Sequence, residues 1–138
     1  MRYLLAIILL VPLFAGAACS DKGSGAFTAF LATYIDDAQF ATQHTAFPLR
    51  HIRWEYGTGA QEGQAARKTT RINSMPASNP ALLGRFMQDN GLQFKIRHQD
   101  RSAATLEVFK PDTDWLLYYH FRWRNSCWYL WQIEDASL

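Results

Sequence analysis

The first apolar pattern in the chain after residue 25 has the spacing of a helix. Large and small apolar side chains recur every three or four positions, at Phe27, Phe30, Leu31, Tyr34, Ile35 and Ala38. This spacing places them on one face and predicts an amphipathic helix. Asp36 and Asp37 then predict the end of this helix and an N-cap for a second one. A short second helix is predicted from there to Pro48, where the proline ends it. Its apolar stripe is Phe40, His44 and Phe47.

The remainder of the chain predicts mainly strands. Apolar side chains alternate with polar ones over 51–56, as in a half-buried strand. Residues 57–77 are polar and show no sustained periodicity of apolar positions. They predict a long irregular segment, the excursion, that contains one strand at 66–72. A third helix begins at Ser78-Asn79-Pro80 and closes at Gly91. Four further strands are predicted over 92–98, 105–109, 115–123 and 127–134.

This order of elements, two helices, a strand, an excursion, a helix and four strands, predicts an α+β fold. The chain resembles the nuclear transport factor two-like superfamily, a cystatin-like cone in which helices fill the concave side of a bent antiparallel sheet. The resemblance is carried by Phe27-x-x-Phe30-Leu31, Asp37-x-x-Phe40, Phe47-Pro48-Leu49 and Trp128-Tyr129-Leu130-x-x-Ile133. These motifs look like an uncharacterised family of small bacterial envelope proteins. The resemblance implies N-terminal helices on a curved antiparallel sheet of about four to six strands and no particular reaction, because members of the superfamily differ in function.

Residues 1–18 have the layout of an export signal. A basic residue precedes an apolar run from Tyr3 to Phe14, and small side chains follow it. About a dozen apolar residues form a helix of roughly 18 Å, which is too short for a hydrocarbon core of about 30 Å. We therefore expect a cleaved signal over 1–18, a flexible tether over 19–25 and a single α+β domain over 26–138.

Two processing routes are open at the end of this signal, and the polar tether over 20–25 favours the first of them, acylation of Cys19. The run Gly16-Ala17-Ala18-Cys19-Ser20 resembles a lipobox, although leucine is usual at the third position before the cysteine. Acylation of Cys19 would anchor the domain at the outer membrane, facing the periplasm, which is the sorting that Ser20 implies. Ala15-Gly16-Ala17 instead satisfies the rule for plain secretion as a soluble protein. The first route leaves Cys127 unpaired, whereas the second allows both cysteines to form a disulfide.

Charge and motif content narrow the class of function. The chain has 14 Lys and Arg against 12 Asp and Glu, a formal net charge of +2. Nucleic-acid binding usually needs a strongly basic face, so we expect no nucleic-acid partner. The motifs H-E-x-x-H, G-x-S-x-G, C-x-x-C and the P-loop do not occur. The sequence therefore predicts no metal and no cofactor, and it favours binding over catalysis without deciding between them. We expect Cys127 to be an inert small hydrophobe.

The last predicted hairpin carries the candidate site. With Asn125-Ser126 as a two-residue turn, Arg124 lies opposite Cys127 and the side chains alternate between two faces. The first face is apolar and predicts core: Leu117, Tyr119, Phe121, Trp123, Trp128 and Leu130. The second face mixes rings with polar groups: Tyr118, His120, Arg122, Tyr129, Trp131 and Ile133. Because the outer face of a sheet is ordinarily polar, the second face predicts a ligand pocket, a protein interface or packing against a cover.

These observations favour a binding module of the cell envelope. The candidate ligand-binding residues are Tyr118, His120, Arg122, Tyr129, Trp131 and His44. The expected partner is a small apolar or aromatic ligand or a protein, and a homodimer through the sheet is also open. One alternative is an isomerase- or dehydratase-like enzyme that uses a buried Asp or His in the cone. The candidates for that role are Asp36, Asp37, His44 and His120, and a single deep pocket around them would favour it. Another is an immunity or inhibitor protein that blocks a partner.

Overall fold

The computed structural model describes Cys19 and residues 24–56, 65–72 and 83–137. Its elements are α1 (Ser24–Asp36), α2 (Ala38–Gln43), β1 (Thr45–Tyr56), β2 (Ala65–Ile72), α3 (Leu83–Asn90), β3 (Gln93–Gln99), β4 (Ala103–Phe109), β5 (Leu116–Arg124) and β6 (Cys127–Asp135). The predicted order of elements is confirmed. The predicted signal, most of the tether and the start of the third helix at 78–80 lie outside the described residues. Within the described ranges, no helix combines the length and apolarity that crossing a membrane requires.

The six strands form one sheet in the order β2-β1-β6-β5-β4-β3. Every neighbouring pair is antiparallel except β1 and β6, which run parallel. The α+β class is therefore confirmed, and the sheet has the largest number of strands expected. The first strand, β1, lies beside the last strand, β6, so the two central strands of the sheet come from opposite ends of the domain.

The second helix ends earlier than predicted. α2 stops at Gln43, and β1 begins at Thr45 and continues through Pro48. The prediction that Pro48 ends a helix was wrong. The pairing of β1 with β6 shifts between Thr45 and Arg50, and the pairing with β2 begins only at Leu49. Pro48 thus lies at an irregularity where the missing N–H interrupts no ladder, which is where a strand accepts proline.

Local caps and turns agree with the sequence. Asp37 caps α2, because its Oδ1 accepts a hydrogen bond of 2.9 Å from the backbone N–H of Phe40. Gly91 closes α3 with a φ of 64°, a left-handed conformation that glycine adopts without a steric cost. Asn125 and Ser126 have φ values of 50° and 60° and form the predicted two-residue turn between β5 and β6.

The helices cover one face of the sheet. Phe27 and Phe30 of α1 have no exposed surface. The ring of Phe27 lies 5.3 Å from that of Phe121 and 5.0 Å from that of Trp128, both edge-on. Tyr34 meets Phe121 in the same way at 5.2 Å. Side chains from the helices therefore fill this concave side of the sheet, which we call the helix-covered face.

A β-bulge interrupts the alternation of the last hairpin. The pairing passes from His120 opposite Gln132 to Phe121 opposite Leu130, so Trp131 has no opposite residue on β5. A bulge adds one residue to one strand and reverses the faces beyond it. Its position at Trp131 decides which side chains of β6 reach the outer face of the sheet.

The bulge corrects one of the predicted faces. Ile133 pairs with Tyr119 and packs against the core, so its assignment to the second face was wrong. Glu134 takes the place on the outer face, opposite Tyr118. A carboxylate thereby enters a row of side chains that the sequence pattern described as rings and cations.

Candidate functional site

Four of the six candidate side chains form a continuous row on the outer face of the sheet. The ring of His120 lies 6.4 Å from that of Tyr118 and 6.4 Å from that of Trp131. The guanidinium of Arg122 lies 5.3 Å from the centre of the Trp131 ring. The three rings are half-buried and Arg122 is exposed. We call these four residues the outer-face row.

His120 is held between a hydroxyl and a carboxylate. Its Nδ1 lies 3.2 Å from Oγ1 of Thr105, and its Nε2 lies 3.4 Å from Oε2 of Glu134. The other carboxylate oxygen of Glu134 accepts a hydrogen bond of 2.7 Å from Nε1 of Trp54. Within the described residues, the buried Nε2 of His120 has no hydrogen bond of proper geometry. The histidine is therefore oriented by its neighbours while one ring nitrogen keeps unused capacity.

A buried carboxylate fixes the next part of the outer face. Oε1 of Glu107 lies 2.9 Å from Nζ of Lys95, and Oε2 accepts a hydrogen bond of 2.6 Å from Arg97. The bonds from Lys95 and Arg97 hold the pKa of Glu107 below its usual value against the opposing effect of burial. The Arg97 guanidinium lies 5.6 Å from the centre of the Tyr118 ring. A cavity of about 420 Å³ lies here, lined by Arg97, His98, Thr105, Tyr118, His120 and Glu134.

The other two candidates are Tyr129 and His44, and Tyr129 lies opposite Arg122 in the pairing of β5 with β6. The ring of His44 stacks on Phe40 at 3.9 Å and lies 5.5 Å from the ring of Tyr129. Nδ1 of His44 lies 2.9 Å from the carbonyl oxygen of Phe40, one helical turn earlier. His44 is thus a packed histidine at the end of α2, and the structure does not place it with the outer-face row.

The two cysteines are joined by a disulfide. Cys19 and Cys127 are 108 residues apart in sequence, and their Cα atoms lie 4.6 Å apart. The prediction that Cys127 is an inert hydrophobe was wrong. A sulfur in a disulfide cannot also carry a thioether-linked lipid, so this pairing corresponds to the secretion route. The lipid anchor on Cys19 stays a prediction for the other route.

A histidine lies beside this disulfide. Nε2 of His44 is 3.4 Å from Sγ of Cys19, and the ligand atoms of Cys19, His44 and Cys127 all lie within 4.8 Å of one another. Zinc and similar ions bind cysteine as the thiolate, and two sulfurs bonded to each other offer none. No sequence motif announces this cluster, because its members come from distant parts of the chain.

Solved structures identify the architecture. An NTF2-like protein from Bacteroides fragilis matches with a TM-score of 0.51 over 81% of this chain, at 16% sequence identity. The chain has the NTF2-like fold. It spans about half of that neighbour, 47% of its length. The likeness concerns the fold and not the function, because one fold carries many functions.

Two further solved structures match the chain at lower similarity. A DUF4783 family protein from Bacteroides uniformis has a TM-score of 0.45 and 10% identity, covering 79% of this chain and 94% of its own. A protein of unknown function from the DUF3225 family of Pectobacterium atrosepticum has a TM-score of 0.39 and 10% identity, covering 89% and 93%. No family model matches the chain, and no curated protein matches its sequence significantly.

Buried polar groups inside the NTF2-like cone form hydrogen bonds with one another. The Tyr34 hydroxyl lies 2.8 Å from Oγ1 of Thr45, which donates to the carbonyl oxygen of Ala41 at 2.7 Å. Burial raises the pKa of Tyr34 to about 12, against the opposing effect of its hydrogen bond with Thr45. Asp36 is exposed at the end of α1, and His120 lies on the opposite face of the sheet. The structure does not bring Asp36, His44 and His120 around one cavity.

Sequence reasoning missed three partners of the outer-face row. Glu134 was hidden by the bulge at Trp131, which no local signal reveals. Thr105 and Trp54 come from β4 and β1, outside the hairpin of β5 and β6. The alternation along β1 marked Trp54 as one face of a strand, but only the pairing of strands within the NTF2-like sheet places it beside Glu134.

Proposed function

We propose that the protein is a binding module of the bacterial cell envelope and that it engages its ligand or partner with the outer-face row. The observation that carries this proposal is the contrast between neighbouring residues of β5. Phe121 is 1% exposed on the helix-covered face, whereas His120 has 24% of its side chain exposed beside two half-buried rings. Aromatic side chains and arginine are enriched at the centres of binding surfaces, while an ordinary outer face is polar.

The chemistry of the row suits a flat apolar or aromatic group. The rings of His120 and Trp131 supply contact area, and Arg122 and Glu134 supply charges that orient a bound group. A small aromatic ligand and an aromatic side chain of a partner protein both present such a group. A second copy of this chain, docked through the sheet, is a partner of the same kind.

The location in the envelope rests on the export signal predicted over 1–18. In one form of the protein, an acylated Cys19 tethers the domain to the outer membrane. In the other form, Cys19 pairs with Cys127, as it does in the structure. Disulfides persist in oxidising compartments such as the periplasm, so both forms support a position outside the cytoplasm.

Photo-crosslinking in the living host tests the binding surface. Tyr118 is replaced by benzoylphenylalanine, which is an exchange of one aromatic residue for another. The matched control is the same exchange at Phe94, which is 45% exposed on β3 and lies opposite the buried Val108. We expect an adduct from position 118 that is lost when Trp131→Ala is added, and no adduct from position 94.

The mass of the adduct identifies the kind of partner. A protein partner, a second copy of the chain and a small molecule each give a different mass shift, and a blocked effector protein would indicate an immunity or inhibitor function. The proposal is overturned if position 118 gives no adduct, or if positions 94 and 118 give equal yields of the same adduct.

A further inference from the structure

A second groove adjoins the outer-face row, and its charge is unusual. Four arginines line it: Arg50 of β1, Arg71 of β2, and Arg122 and Arg124 of β5. Its volume is about 360 Å³, and the Trp131 ring forms part of its wall. We propose that this arginine groove binds the phosphate group of an anionic ligand. The inference deepens the proposed function and rests on it, because the groove shares Arg122 and Trp131 with the outer-face row.

The four guanidinium groups have no acidic partner within the described ranges 24–56, 65–72 and 83–137. No carboxylate from these ranges lines the groove. Among the residues that the structure describes, these four arginines form no ion pair. Elsewhere on the same sheet, Lys95 and Arg97 share Glu107, and Arg53 lies 4.0 Å from Asp135. The groove is therefore a local concentration of positive charge in a chain of nearly balanced composition.

The strand register forces like charges together. Arg50 lies directly opposite Arg71 in the antiparallel pair of β1 and β2. Arg122 and Arg124 are two positions apart on one strand and so point to the same side. Like charges directly opposite each other destabilise a sheet. An anion bound between them turns this repulsion into attraction, which gives the arrangement a role that packing does not supply.

Phosphate matches this set of donors better than a single carboxylate does. Arginine presents parallel N–H groups that bind phosphate oxygens in a bidentate manner. Guanidinium groups from three strands can contact several oxygens of a dianionic or larger phosphate from different sides. Arg122 stacks over the Trp131 ring, which limits the orientations of its guanidinium. The groove can thus hold a phosphate while the neighbouring rings contact the group attached to it.

Calorimetric titration of the protein with inorganic pyrophosphate tests the groove. The variant carries Arg50→Gln and Arg71→Gln. The matched control carries Arg85→Gln and Arg101→Gln, which remove the same charge at exposed positions of α3 and of the β3–β4 turn. We expect binding by the wild type and the control with equal affinity, and binding by the groove variant weaker by at least about tenfold.

A thermal unfolding scan separates loss of binding from loss of folding. Since Arg50→Gln and Arg71→Gln remove a repulsion, the free variant should unfold at or above the temperature of the wild type. Pyrophosphate should raise the unfolding temperature of the wild type and the control, but not that of the groove variant. Equal affinities of the two double variants, or no binding by the wild type, would overturn the inference.

Vesicles distinguish the two sources of such a phosphate. Sedimentation with phosphatidylglycerol vesicles is compared with sedimentation with phosphatidylcholine vesicles, and any lipid anchor is the same in all variants. A preference for phosphatidylglycerol that the groove variant loses assigns a lipid headgroup, whereas pyrophosphate binding without this preference assigns a soluble phosphate compound. The crosslink from Tyr118 does not require Arg50 or Arg71. Failure of the groove and failure of the proposed function are therefore distinguishable.

Discussion

Strand β5 presents two faces of opposite character within one run of residues. Phe121 is enclosed by rings of α1 on one side, while His120 and Arg122 project from the other side beside Glu134 and Trp131. The helix-covered face is filled by close packing, since Phe27, Phe30 and Phe121 have almost no exposed surface. The outer face is specified by charge and hydrogen bonding. We infer that the first face carries stability and that the second carries recognition.

The largest loss of stability is expected when the helix-covered face loses a ring. Phe121→Ala removes a ring that is 1% exposed and in contact with Phe27, Phe30 and Tyr34. We expect a loss of about 3–5 kcal/mol in the free energy of unfolding, because the deletion leaves a cavity. Urea unfolding measures this loss, and Phe121→Leu should cost much less. A loss below about 1 kcal/mol would show that the face does not hold the fold.

The disulfide tests how the amino-terminal segment is held. It closes a loop with a sequence separation of 108 residues. We expect Cys127→Ser to lower the free energy of unfolding by about 2–4 kcal/mol, mainly because the unfolded chain gains freedom. Dithiothreitol should lower the stability of the wild type in the same way and leave the variant unchanged.

Mass spectrometry of the mature protein accompanies that measurement. A disulfide-bonded chain that carries no lipid supports the secretion route. A diacylglyceryl group on Cys19 would instead support the lipoprotein route. The disulfide would then be absent, and Cys127→Ser would not lower the free energy of unfolding by opening it.

The ion pairs of Glu107 test electrostatic stability on the outer face. The pKa of this carboxyl is lowered in the folded state by the bonds from Lys95 and Arg97. Its contribution is therefore present above the ordinary pKa of 4.5 and is lost as the pH falls through the folded-state pKa. We expect Glu107→Gln to cost about 1–3 kcal/mol at pH 7 and less at acidic pH. Urea unfolding at several pH values measures both.

Glu55 provides the control for this prediction. It pairs with Lys68 at 3.4 Å, and half of its side chain is exposed. Glu55→Gln should change the free energy of unfolding by less than about 1 kcal/mol at any pH. Equal effects of the two substitutions would show that burial of Glu107 does not matter.

The smallest expected effect is that of Arg122→Gln. The guanidinium is exposed and contacts the Trp131 ring, so its loss should change the free energy of unfolding by less than about 1 kcal/mol. The same substitution should abolish the crosslink from Tyr118 or weaken pyrophosphate binding. A large loss of stability without loss of binding would reverse the roles that we assign to the two faces.

Local chemistry explains what the sequence predicted well. The cap at Asp37, the closing Gly91 and the turn at Asn125-Ser126 each depend on atoms within about four residues, so composition and spacing suffice for them. Pro48 and Ile133 were predicted wrongly. The conformation of Pro48 depends on the pairing of β1 with the distant strand β6, and the face of Ile133 depends on the bulge at Trp131. A proline in a strand and an extra residue in a hairpin leave no periodic trace.

Only the part of the candidate site that lies within one hairpin could be predicted from the sequence. His120, Arg122 and Trp131 belong to one hairpin, and their alternation revealed a shared face. Glu134 was placed there by the bulge, and Arg50 and Arg71 by the register of β1 with β2. Side chains that meet across several strands cannot be paired by a pattern that runs along one strand.

The central position of β6 also determines when the strands can join into one sheet. Strands β1 and β2 connect to β3, β4 and β5 only through β6, and β6 begins with Cys127. Strands β1 and β2 therefore cannot join β3, β4 and β5 in one sheet before residues 127–135 are present. The same short segment supplies Cys127, so completion of the sheet and formation of the disulfide both depend on it.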